Sequence, residues 1–220
     1  MRTALEIDGG EARFLLLELD GDEQAAARDL YFAEDAGVFA KRFPAAEAAH
    51  VYPRFAACAR ELIDQTARRA PARWEDALET VVDRAGDVDW WLTGSTALAV
   101  RGIRVAPRDV DLVTSAEGAE ELARRLAGLL VEPLSVGDGW IATHFGRAFA
   151  GARIEWVGNV SPAVEPVDFG PAAAARLETV SWRGHLLRVP PLELQLESAR
   201  ARGLTDRIAA IEGTRSAPPS

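Results

Sequence analysis

Residues 88–114 read VDWWLTGSTALAVRGIRVAPRDVDLVT, and the fold is decided there. The opening run is short, apolar and β-rich until Gly94 stops it; STALAVRG then has a helical pattern that Gly102 closes. After the IRVAPR connection, DVDLVT predicts a second strand. The predicted order is strand, glycine turn, helix, strand.

Each step of that order offers chemistry. A Gly-Ser turn at a helix N-terminus presents backbone N–H groups and a hydroxyl where the helix dipole favours negative charge, which makes Gly94 and Ser95 candidate phosphate ligands. Residues i and i+2 of a strand share a face, so Asp109 and Asp111 project together while Val110 and Leu112 face the core. Adjacent carboxylates repel unless a hard cation sits between them, and Mg²⁺ takes one or two carboxylates plus phosphate oxygens.

Working outward towards the C-terminus, Ser115 predicts the N-cap of an amphipathic helix marked by Leu122, Leu126, Leu129 and Leu130. WIATHFGRAF (140–149) and ARIEWVG (152–158) predict two antiparallel strands. Glu155 lies between Ile154 and Trp156, so it points to the face opposite those neighbours. A third carboxylate there completes a metal site or takes a proton from an attacking hydroxyl. LETVSWRGHLLRV (177–189) predicts a further hairpin turning at Arg183-Gly184. In PPLELQLESARARG (190–203) the alternating leucines read as a strand, but length and composition favour a helix; TRSAPPS (214–220) reads as a frayed tail.

Towards the N-terminus, LEI, DGG and ARFLLLEL predict a β-hairpin. The alanine-rich stretch from about Glu34 to Arg84 predicts two or three helices, with Pro44 and Pro71 in first turns and a kink or break at Pro53. Trp74, Leu78, Val81, Val82 and Ala85 form one buried stripe of the last helix.

Composition bounds the rest. The chain has 220 residues, 48% of them hydrophobic, with 25 basic against 34 acidic side chains and a formal charge of −9. The content is that of a folded chain, and an acidic balance disfavours diffuse binding to nucleic acid backbones. Cys58 is the sole cysteine and three histidines are scattered, which points any metal to oxygen ligands. No run approaches the roughly 18 apolar residues of a membrane span, and charges occupy the N-terminus where a signal peptide is apolar. A cytoplasmic protein is expected. Residues 1–40 hold 3 basic and 10 acidic side chains, which raises a cationic acceptor molecule as one option.

LTGSTALAVRG followed by PRDVDLV resembles the signature of the DNA polymerase β-like nucleotidyltransferase superfamily, over roughly residues 88–158. The resemblance implies Gly94 and Ser95 at a triphosphate, Asp109 and Asp111 as metal ligands, and Glu155 as third ligand or general base. It adds Arg108 as the first choice for a phosphate contact, with Arg101, Arg104, Arg200 and Arg202 behind it; no lysine follows Lys41. It implies an α/β fold with a mixed-sheet core, placed at 86–190; the residues themselves add an N-terminal hairpin-plus-helices extension at 1–85, which the resemblance does not cover, and a C-terminal helical segment at 191–220. The implied activity is Mg²⁺- or Mn²⁺-dependent transfer of a nucleoside monophosphate from an NTP, ATP among them, to a hydroxyl of a small molecule. The alternatives are a protein- or RNA-nucleotidylating factor of a toxin-antitoxin pair and a catalytically idle binding protein. Taken singly, Gly94-Ser95 also reads as a plain N-cap, the aspartates as a solvated strand start beside Arg108, and Glu155 as an exposed hairpin position.

Overall fold

The computed structural model describes residues 1–137, 139, 141–163 and 167–215. Its N-terminal unit runs β1 (Arg2–Asp8), β2 (Glu11–Leu17), α1 (Gly21–Asp29), β3 (Ala33–Asp35), β4 (Val38–Pro44), α2 (Ala45–Thr66) and α3 (Trp74–Ala85). The predicted hairpin is present as β1–β2, but it belongs to a four-stranded antiparallel sheet in the order β1-β2-β4-β3. The first part of the predicted helical stretch is therefore strand. Within it, residues 39–44 pair one for one with β2, and Phe39 and Phe43 bury there; cross-strand packing overrides the local alanine content. Helix α1 was not anticipated. A capping box starts it, with Asp20 accepting from the Glu23 N–H at 3.0 Å and Glu23 accepting from the Asp20 N–H at 2.9 Å.

Pro44 ends β4 and caps α2 instead of entering its first turn, and Pro71 precedes α3. Helix α2 continues unbroken through Pro53. The stripe of α3 holds: Leu78, Val81 and Ala85 are buried, with Trp74 and Val82 packed beside them.

The chain continues as β5 (Trp90–Thr93), α4 (Gly94–Ala99), β6 (Asp109–Thr114), α5 (Ala116–Arg125), β7 (Leu130–Val136), β8 (Ala142–Phe149) and β9 (Arg153–Val160). Ser115 caps α5 as expected, accepting from the Gly118 N–H at 3.0 Å. The helix stops before Leu126, so Leu129 falls in a 3-10 turn and Leu130 opens a strand. Trp140 and the tail beyond Arg215 lie outside the described residues.

These strands form a mixed sheet in the order β5-β6-β9-β8-β7, in which only β6 and β9 are parallel. β7 is an edge strand, which accommodates Pro133. Gly146 on β8 lies under the Trp156 ring of β9, where any Cβ would collide, so the indole lies flat and buried. The last elements are α6 (Pro171–Ala174), the hairpin β10 (Glu178–Trp182) and β11 (His185–Val189), α7 (Leu192–Ala201) and α8 (Thr205–Arg215). One hydrophobic cluster joins Phe14 and Leu16 of the first sheet, Phe55 and Leu62 of α2, and Leu92, Val110 and Ile154 of the second. Among the described residues no helix is long and apolar enough to cross a membrane.

Candidate active site

The registers of the five-stranded sheet set one row of side chains across every strand. Thr93 of β5 stands opposite Asp111 of β6, Asp111 opposite Glu155 of β9, Glu155 opposite Arg147 of β8, and Arg147 opposite Glu132 of β7. Beyond the edge, Lys41 of β4 reaches Glu132 Oε2 at 2.5 Å and the Leu30 carbonyl at 3.1 Å. From Lys41 inwards the charges run plus, minus, plus, minus, which is the stabilising pattern for neighbours across strands. The alternation fails once. Asp111 and Glu155 are adjacent with the same sign, and Asp109, two residues before Asp111, adds a third carboxylate. One oxygen from each of the three lies within 4.8 Å of the others.

Positive groups brace this cluster. Arg147 is fully buried; its Nε donates to Glu155 Oε1 at 2.6 Å, and its Nη1 donates to Glu132 and to the Leu30 carbonyl, the latter at 3.2 Å. Arg153 donates to Asp109 Oδ2 at 2.5 Å and to Glu155 Oε1 at 3.4 Å. Burial would raise the Glu155 carboxyl, but Arg147 and Arg153 outweigh it and hold the group below the usual glutamate value. Asp111 goes the other way. Burial first, then the charges of Asp109 and Glu155, push it well above the usual aspartate value, against weaker pulls from Arg153 and Arg207. Burial also lowers Lys41 below its ordinary value, with Glu132 opposing.

The glycine turn is fitted to the same carboxylate. Gly94 has φ +65°, and a side chain on it would collide with Asp111 Oδ2. The turn is held from behind: Gln195 Nε2 of α7 donates to the Gly94 carbonyl at 3.2 Å, and Thr93 and Ser198 donate to buried Asp168 at 3.0 and 2.8 Å. Thr96 Oγ1 donates to the Asp109 carbonyl at 2.5 Å, which ties α4 to β6.

Two cavities open on either side of Asp111 and Glu155, which line both. The larger, about 1120 Å³, is lined by Ser95 and by Arg68, Arg104, Arg108, Arg202 and Arg207. None of those five arginines forms an ion pair among the described residues, in a chain whose other arginines are mostly paired. The smaller, about 650 Å³, has walls of Tyr31, Phe43, Leu134, Ile141, Phe145 and Phe169.

Of the residues singled out in the sequence, the fold thus brings Asp109, Asp111 and Glu155 together, sets Gly94 against Asp111, and puts Ser95, Arg104, Arg108 and Arg202 on the larger cavity. Arg101 is spent on Glu178 and the Pro190 carbonyl, and Arg200 pairs with Glu212. Sequence reasoning missed Lys41, Glu132, Arg147, Arg153 and the Asp168 support. Arg153 had a signal, since it lies two residues before Glu155 and shares its face; Arg147 and Lys41 had none.

The donor set fits a divalent ion such as Mg²⁺ or Mn²⁺. It is all oxygen and carboxylate and clustered tightly, with Asp111 and Glu155 of like sign side by side.

No protein-family profile and no curated protein matches the chain. Solved structures do. A candidate nucleotidyltransferase from Thermotoga maritima is 24% identical over 63% of this chain and 89% of its own, with a TM-score of 0.49. The enzyme ANT(2'')-Ia in complex with adenylyl-2''-tobramycin is 16% identical over 64% of this chain and 87% of its own, at 0.41. A solution structure of the antibiotic-resistance factor ANT(2'')-Ia gives 17%, 63%, 78% and 0.40 for the same quantities. On its own geometry the core of this chain is an α/β unit that joins a strand, a Gly-Ser turn, a helix, an Asp-x-Asp strand and a parallel glutamate-bearing neighbour in one mixed sheet, the arrangement that the sequence resemblance implies.

Proposed function

We propose that the protein transfers a nucleoside monophosphate from an NTP to a hydroxyl of a small-molecule acceptor, with a divalent metal held by Asp109, Asp111 and Glu155. The observation that carries this reading is the single like-charge contact in an otherwise alternating row, at the meeting of two cavities of opposite character. A bound Mg²⁺ would supply charge neutralisation for the phosphates and for the leaving oxygen. The remaining work belongs to the chain. Arg104, Arg108, Arg202 and Arg207 offer unpaired guanidinium groups to the triphosphate, with Ser95 beside them. Gly94 lets the turn close against the Asp111 carboxylate, because a side chain there would collide with its Oδ2. Arg147 and Arg153 fix Glu155 in its ionised form, which suits a ligand better than a base.

In the reaction, the acceptor oxygen bonds to the α-phosphorus and the bond from that phosphorus to the α–β bridging oxygen breaks. Pyrophosphate leaves with the electron pair, and the hydroxyl proton passes to water. No covalent enzyme intermediate is required. The deciding experiment is a thermal-shift titration with ATP, GTP, CTP and UTP, with and without Mg²⁺, on the wild type and on Asp109→Asn/Asp111→Asn. The reading expects one or more NTPs to raise the wild-type Tm only with Mg²⁺, and the double variant to lose that response. No shift in either protein, or equal shifts in both, would overturn it.

A further inference from the structure

We infer, resting on the transfer reading, that the 650 Å³ cavity receives the acceptor and that the acceptor is an uncharged alcohol with an apolar, ring-bearing body. The acidic N-terminal composition pointed elsewhere, to a cationic molecule. The structure shows where those acids went. Glu6 pairs with Arg13, Glu11 with Arg42, Glu34 with Arg28, and Asp20 with Arg69. What residues 1–85 bring to the cavity is Tyr31, Lys41, Arg42, Phe43 and Pro44, with no carboxylate among them.

Among the described residues, the acids contributed by the other walls already have partners. Glu132 is held by Lys41 and Arg147, Glu155 by Arg147 and Arg153, and Asp168 by Thr93 and Ser198. Among the described residues that line the cavity, Asp111 is the carboxylate with neither an ion pair nor a hydrogen-bond donor, and it faces the reaction centre. A polyamine entering here would lose hydration at several ammonium groups and find one partner at most. A polyanion fares no better, because Lys41 is neutralised by Glu132 and Arg42 by Glu11. Of the unpaired arginines Arg202 reaches both cavities, while Arg68, Arg104, Arg108 and Arg207 line only the larger one, so the triphosphate belongs there.

The remaining surface is mainly apolar and aromatic, broken by Ser135, His144 and Arg202, and the floor is polar. Phe43, Phe145 and Phe169 offer ring faces, Leu134 and Ile141 close the sides, and Tyr31 stands exposed at the rim. The volume lies within the roughly 300–1,000 Å³ of pockets for compact organic ligands. A molecule that buries a hydrophobic body here points its hydroxyl at the floor, beside Asp111 and Glu155. In this arrangement the four-stranded sheet, through β4, chooses the acceptor, and the five-stranded sheet carries the transfer.

The test is calorimetric titration of the full chain with 2-naphthol, kanamycin and Mg²⁺ with α,β-methylene-ATP, on the wild type, Leu134→Glu and Tyr31→Ala. Leu134 is half-buried, and the exposed Tyr31 provides a variant with little risk to folding. The expected results are saturable 2-naphthol binding that persists when the nucleotide analogue is bound, weakened about tenfold by either variant, with analogue affinity changed less than about twofold and no saturable kanamycin binding. Competition between 2-naphthol and the analogue, or loss of analogue affinity in Leu134→Glu, would assign the cavity to the nucleobase and overturn the inference. So would kanamycin binding in place of 2-naphthol, or absence of 2-naphthol binding in a wild type that binds the analogue. If 2-naphthol binds as described but the analogue does not, the ligand class of the cavity stands and the transfer reading falls.

Discussion

The two larger sheets of this protein handle charge in opposite ways. The five-stranded sheet keeps it inside, as a row in which fully buried Arg147 bridges Glu132 and Glu155. The four-stranded sheet keeps it outside, in pairs such as Arg13–Glu6 and Arg42–Glu11 whose members are about half exposed. Solvent screens the outer pairs, so they stabilise little; the inner row cannot lose a member without stranding its neighbours. Lys41 is the exception, an N-terminal residue whose side chain joins the inner row.

The strongest way to break this comparison is Arg147→Leu. It leaves Glu132 and Glu155 buried against an apolar side chain, and urea denaturation should show a loss of about 3–5 kcal/mol. A loss below about 1 kcal/mol would mean that the row is no more than another surface network. Asp111→Asn comes next and separates chemistry from stability. Pyrophosphate release should fall about 10²–10³-fold, while the Tm in the absence of divalent ions should rise. The sign follows from the raised carboxyl: at neutral pH its ionised form costs the folded state stability, and the amide removes that charge. Addition of Mg²⁺ should then stabilise the wild type and leave the variant unmoved.

Lys41→Met should cost about 1–3 kcal/mol, because it uncovers Glu132 and the Leu30 carbonyl. A double-mutant cycle with Glu132→Gln should show strong coupling between the two. At the small end, Glu6→Gln should change stability by less than about 1 kcal/mol. Asp20 sharpens the contrast through pH. The Arg69 side chain and the Glu23 N–H hold its carboxyl at about 2, below the usual 3.8. The stability it contributes is present above the ordinary value and is lost as the pH falls from about 4 to about 2. Asp20→Asn should flatten the melting temperature across that window.

Legibility in the sequence followed the range of the interactions. Strand β5, the Gly94 turn, α4 and β6 are fixed by local alternation and by glycine, and all four were readable. The same alternation placed Glu155 on the face of Asp111. Strand β4 was not readable, since AKRFP within an alanine-rich run takes its conformation from β2, about 28 residues away. β7 carries Pro133 in LVEPLSV and escaped for a related reason, being an edge strand that tolerates proline. The Lys41–Glu132 pair spans 91 positions, and no local pattern encodes it. Helix α1 was legible and overlooked, because Asp20 and Glu23 spell its capping box.

The parallel register of β6 and β9 has a consequence for measurement. Asp111 meets Glu155 and Asp109 meets Arg153 only in that one alignment. A slip of a single residue would set Trp156 or Ile154 opposite Asp111 and turn the core-facing side chains of β9 outwards. A chain misaligned there therefore forfeits its packing and its carboxylate cluster together. Under the proposed function, the number of divalent ions taken up per chain would then also be a census of correctly folded molecules in the preparation.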